Sequence, residues 1–168
     1  MDGRYLMAAV AFVLFLVVLL LAIRSWSKRA ANQSASYDAP AESLGGPLAE
    51  ELFVGHYVST TPADAPLERV IAHGLGHRGL ASIGVTEAGV QIARRGEADL
   101  AIRASQLVSV RREQATIDRV VEADGLIAIE WRLGEAILVT NLRIVDGDSR
   151  AKLFDQINDL TKKKAAND

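Results

Sequence analysis

From Tyr5 to Ile23 the chain reads YLMAAVAFVLFLVVLLLAI, a run of 19 residues without charge, proline or glycine. At about 1.5 Å per residue, a helix of this length spans roughly 28 Å, close to the hydrocarbon thickness of a bilayer. Thirteen of the residues are Leu, Ile, Val or Phe. At roughly −0.3 to −0.6 kcal/mol each near a helix centre, they favour insertion by about 4–8 kcal/mol, an upper bound because terminal positions contribute less. Tyr5 and Trp26 bracket the run, where amphipathic rings favour the headgroup region. These features predict a transmembrane helix at 5–23, within an N-terminal segment 1–26. A cleavable signal peptide would carry a shorter apolar core, about 7–15 residues, and a small-x-small cleavage site. Here the run leads straight into Arg24-Ser25-Trp26-Ser27-Lys28-Arg29.

Arg24, Lys28 and Arg29 on the C-terminal flank outnumber Arg4 on the other. The positive-inside rule therefore predicts a single-pass protein of the cell membrane with its C-terminal domain in the cytoplasm. No ionisable residue lies inside the run, so it lacks the usual marker of a proton or ion path. No small-xxx-small pair marks a dimerisation face. The segment reads as an anchor. A formal net charge of −2 leaves no overall footprint for nucleic acid. The absence of cysteine excludes disulfides, thiolate nucleophiles and cysteine-based zinc sites, and fits a reducing compartment.

Residues 27–51 are rich in Ala, Ser, Asn, Gly and Pro, including Gly45-Gly46-Pro47, which predicts a flexible linker. Leu48 to Phe53 is read as a short helical turn before a domain at 52–163, with a tail at 164–168. Period-two signals then dominate. Val54–Thr60 is a first strand, and Leu67, Val70 and Ile71 behind Pro66 suggest a short helix stopping at Gly74. Leu80–Val85 and Val90–Ala93 flank the turn Thr86-Glu87-Ala88-Gly89 as a hairpin, with Ile83 and Val85 on one face and Val90 and Ile92 likewise. Asp99–Arg103, Leu107–Glu113, Ala115–Ile117, Leu126–Leu133 and Ala136–Leu142 complete the strand candidates. Short strands separated by turns point to an antiparallel barrel or sandwich. Behind Asp146 or Asp148 as cap, Leu153, Ile157 and Leu160 recur at helical spacing and predict an amphipathic helix to about Lys163.

About seven strands followed by one amphipathic helix make a mainly β chain that resembles the pleckstrin-homology-like (PH-like) fold. Gly79–Ile92 continuing to Gly96, Gly125–Gly134 (GLIAIEWRLG), His56-Tyr57-Val58-Ser59-Thr60 and His73-Gly74-Leu75-Gly76 carry a closer resemblance. They are similar to a family of actinobacterial single-pass proteins that pair a membrane helix with a bacterial PH-like domain, often labelled export or transport proteins. The resemblance implies a bent antiparallel sheet closed at one end by the final helix. Its motifs are packing and turn residues, so it speaks to fold rather than function.

Gly74-x-Gly76-x-x-Gly79 spells the dinucleotide fingerprint, which requires a strand before it and a helix after it. The predicted order is reversed, so no cofactor is expected. His73 and His77 stand four apart with two glycines between and no evident third ligand, so no metal is expected either. Arg94, Arg95, Arg111 and Arg112 are the candidate contacts for an anion or lipid headgroup at an anionic leaflet. Interleaved Glu97, Asp99, Glu113 and Glu130 make a solvated β surface with cross-strand ion pairs the simpler reading. No nucleophile–base pair or phosphate loop is legible, so no enzyme is expected. The expected function is a non-catalytic, membrane-anchored interaction module with an unidentified protein partner. Lipid-headgroup or anion binding is the alternative, and nucleic acid is excluded by the few aromatic residues and the lack of basic charge.

Overall fold

The computed structural model describes residues 3–47, 49–116, 119–120 and 125–166. The chain forms two compact units, residues 1–36 and 37–168. The first is a single helix, α1 (Gly3–Ser36). From Val10 to Ile23 its described large side chains are 39–65% exposed. Among the described residues no helix is long and apolar enough to cross a membrane.

The second unit is built on a seven-stranded antiparallel sheet. Its strands are β1 (Leu52–Pro62), β2 (Gly79–Thr86), β3 (Gly89–Arg94), β4 (Leu100–Arg103), β5 (Leu107–Glu113), β8 (Leu126–Leu133) and β9 (Ala136–Arg143), in the order β4-β3-β2-β1-β9-β8-β5. Between β5 and β8, β6 (Ala115–Thr116) and β7 (Arg119–Val120) pair as a separate two-stranded ribbon. Of the candidate strand Ala115–Ile117, Ile117 lies outside the described residues. A flat seven-stranded sheet would hold its edges about 29 Å apart. Yet the edge strands β4 and β5 are joined through residues 104–106 alone, a reach of at most about 14 Å. The sheet must therefore curl until its two edges meet at a corner. Leu100 and Ile102 of one edge and Leu107 of the other accordingly share one buried core with Ile83, Ile129 and Trp131. The predicted barrel or sandwich is thus one open, strongly bent sheet, without β4–β5 pairing.

The hairpin forms in the predicted register, Ile83 opposite Ile92 and Val85 opposite Val90. Gly89 closes the turn at φ 146°, and a Cβ there would collide with the carbonyl oxygen of Ile102. Glycine is required for β4 to approach β3 so closely. The final helix, α2 (Gly147–Ala165), starts at Asp146, whose carboxylate accepts from the Ser149 backbone N–H at 2.8 Å. It packs against β5, β1 and β2, burying Leu153, Ile157 and Leu160 as the spacing predicts.

Three expectations change. The helix behind Pro66 reduces to a 3₁₀ turn at Ala72–Gly74. Val70 is buried and its N–H bonds to Thr60 O of β1, while Leu67 is 80% exposed. Here a tertiary hydrogen bond replaces the i−4 partner that helical spacing implied. No helical turn precedes the domain, because Leu52 and Phe53 already belong to β1; Leu48 lies outside the described residues. The segment read as a flexible linker divides in two: 27–36 continues α1, whereas 37–51 belongs to the β domain.

Candidate functional site

The four candidate arginines do not share one environment. Arg94 is 6% exposed. Its Nε and Nη2 donate to Ala98 O and its Nη1 to Gly74 O, at 2.6–2.9 Å. The guanidinium stands 5.1 Å over the Tyr57 ring. Its fork is engaged by two loops and does not face an external anion. Arg111 pairs with Glu113 of its own strand at 2.6 Å and across to Glu130 of β8 at 3.1 Å, the latter the cross-strand ion pairing that the interleaved acids suggested. Arg112, on the opposite face of β5, lies 4.6 Å over the Phe154 ring of α2. Arg95 is exposed beyond the end of β3, next to Leu80.

Arg94 borders a buried polar chain that no sequence motif announced. Trp131 Nε1–H donates to Thr140 Oγ1 at 2.9 Å, Thr140 and Thr60 hydroxyls meet at 2.8 Å, and Thr60 meets Tyr57 Oη at 2.6 Å. Tyr57 in turn donates its only proton to Leu75 O at 2.8 Å. That last bond fixes the direction of the rest: Thr60 donates to Tyr57, and Thr140 donates to Thr60. Burial pushes the Tyr57 phenol up to about 12, against the lowering effects of the Thr60 hydrogen bond and the Arg94 charge. A closed chain of this kind holds the loop 72–76 onto the sheet.

His73 is the only described non-glycine residue at positive φ, 52°. A carbonyl only accepts, so His73 Nε2 carries the proton it donates to Tyr37 O at 2.9 Å. His77 Nδ1 lies 3.2 Å from Glu97, and His56 is half-buried in β1. Among the described residues no three metal-ligating side chains converge. The glycine run Gly74–Gly79 follows a 3₁₀ turn and leads into β2, so its context is not that of a dinucleotide loop.

Two surface features remain. On the outer face, alternation along β1 exposes Leu52 (63%) and Val54 (71%). Val54 stands opposite Ser82 and His56 opposite Leu80, itself 43% exposed. Residues 37–47, together with Ala49, cross the neighbouring part of this face as a strap. Ala41 O accepts from Ala101 N–H of β4 at 2.7 Å. The Gln91 amide of β3 brackets the strap, donating to Glu42 O at 2.8 Å and accepting from Leu44 N–H at 3.2 Å. Gly84 of β2 admits Ala49, whose Cβ would be 2.7 Å from a Cβ placed there. Gln91 and Gly84 escaped the sequence reading because an outward glutamine and a strand glycine carry no local signal. Only the distant strap gives them a role.

The family model described as Bacterial PH domain-like matches residues 34–158, about three quarters of the chain. No curated protein is matched by the chain. The matched region includes the strap, in keeping with its docking on the β domain.

Proposed function

Since the chain belongs to the Bacterial PH domain-like family, we propose that it is a non-catalytic interaction module that binds a protein partner and is anchored in the cell membrane by its N-terminal helix, with the β domain on the cytoplasmic side. The observation that carries the partner reading is the exposed aliphatic set Leu52, Val54 and Leu80 on an ordered sheet face. Contiguous apolar side chains rimmed by polar groups mark interaction sites. The anchoring reading is supported by the uncharged run Tyr5–Ile23, which lies within α1 and at about 1.5 Å per residue is close in length to the roughly 30 Å hydrocarbon core. The basic residues that follow the run support the cytoplasmic orientation.

Cross-linking of the intact protein in native membranes, with and without Val54→Glu, tests the module. A specific cross-linked partner, reduced at least tenfold by Val54→Glu in a protein that still pellets after alkaline extraction, is the expected result. Loss from the pellet overturns the anchor, and failure to cross-link any partner overturns the module. A second reading, contact with lipid headgroups, is favoured by exposed Arg95 beside Leu80. It predicts salt-sensitive flotation with anionic vesicles that Arg95→Ala abolishes.

A further inference from the structure

The strap is a guide to what the outer face of the β domain recognises. We propose that the edge of β4 together with the outer faces of β3 and β2 forms a groove for an extended peptide of small residues, and that residues 37–47 with Ala49 fill it in cis as an exchangeable occupant. Three contacts define the specificity. Ala101 N–H to Ala41 O is one rung of antiparallel strand addition on an edge strand. The Gln91 amide donates to one strap carbonyl and accepts from one strap N–H, so it reads peptide backbone regardless of side chain. Gly84 makes room for the Ala49 methyl of the strap, which a side chain at position 84 would meet at 2.7 Å. Beside these contacts a cavity of about 350 Å³, lined by Leu44, Pro47, Leu52 and Ala93, is large enough for an aliphatic side chain.

The strap is held lightly. Every residue from 37 to 47 is exposed or half-buried, and Gly45 and Gly46 at positive φ have no neighbour where a Cβ would stand. Tyr37 packs against the core and its carbonyl accepts from His73, but beyond it a segment with no fully buried side chain sits at the low end of local stability. Being covalently attached, however, it competes at an effective concentration on the order of millimolar. A displacing partner must therefore engage a second surface as well, and Leu52, which lines the same cavity as Leu44 and Pro47, adjoins the strap. That role for a partner rests on the interaction-module reading; the groove itself does not.

Ala49→Leu alters the strap and leaves the groove strands intact, while driving a larger side chain against Gly84. Two quantities are measured on full-length protein in detergent micelles: amide exchange at Ala101, and binding of a synthetic peptide with the sequence of residues 37–51. The expected results are exchange at least tenfold faster in the variant, and peptide affinity at least tenfold higher than for wild type, abolished again by adding Gln91→Ala. Leu44→Asp, a second strap variant, carries the same expectation. Unchanged exchange in both variants, or released protein that fails to bind the peptide, overturns the proposal. Peptide binding without any cross-linked partner in membranes would retain the groove and remove the module reading, and the converse would remove the groove alone.

Discussion

Two parts of the β domain hold irregular chain against the sheet, and they do so by opposite means. Inside, Trp131, Thr140, Thr60 and Tyr57 form a directed chain ending on Leu75 O, with Arg94 closing the same loop through Gly74 O. The members of that chain are at most 1% exposed, so each donor lost leaves an acceptor that water cannot reach. Outside, the strap is held by comparable hydrogen-bond lengths through Gln91 and Ala101, but none of its residues from 37 to 47 is fully buried. Hydrogen bonds of equal length are thus unequal in consequence, because burial decides whether solvent can replace a lost partner.

This contrast can be broken or sharpened by substitution. Arg94→Ala should have the largest effect, about 3 kcal/mol, since it removes three charge-assisted hydrogen bonds to the carbonyls of Ala98 and Gly74 and the stacking on Tyr57. Urea unfolding of the variant checks it, and a loss below about 1 kcal/mol would make Arg94 a surface residue in energetic terms. Tyr57→Phe should cost about 1–3 kcal/mol by leaving Leu75 O unpaired. It should also change the response to alkali. The folded phenol titrates at about 12 against an ordinary 10.0, so the fold favours its neutral form. That contribution, about 3 kcal/mol, is complete below about pH 10 and is lost as pH rises towards 12. Wild type should therefore lose stability more steeply than Tyr57→Phe between pH 10 and 12, and parallel curves would contradict the assignment. Gln91→Ala should be the mildest, within about 1 kcal/mol globally. Its effect should be local: faster proteolysis within 42–49 at an unchanged unfolding midpoint.

The regular elements were legible because their signals are local. Leu107–Glu113 and Leu126–Leu133 coincide with β5 and β8, and the Leu153, Ile157, Leu160 spacing gives the buried face of α2. The predicted 66–74 helix failed where Val70 N–H found Thr60 O instead. The linker reading failed for a related reason. Glycine and proline in 40–47 do argue against a helix or strand, but irregular chain can still dock when another part of the molecule presents a matching surface. Of the arginines, Arg111 met the ion-paired surface that alternating charge suggested, whereas nothing local distinguished buried Arg94 from exposed Arg95.

The sequence by itself determined an uncharged apolar run near the N-terminus, a set of alternating strands with their turns, and a capped amphipathic helix. Each depends on residues only a few positions apart, through a period of 2 or 3.6 that the backbone imposes. Tertiary structure alone decided how far the sheet curls, that Arg94 is interior, and that the strap lies on β4 and β3. Those outcomes depend on partners 20 residues apart for Arg94 and Gly74, 47 for Leu44 and Gln91, and 80 for Thr60 and Thr140. No periodicity links such positions; they meet only when apolar burial has closed the sheet around its core.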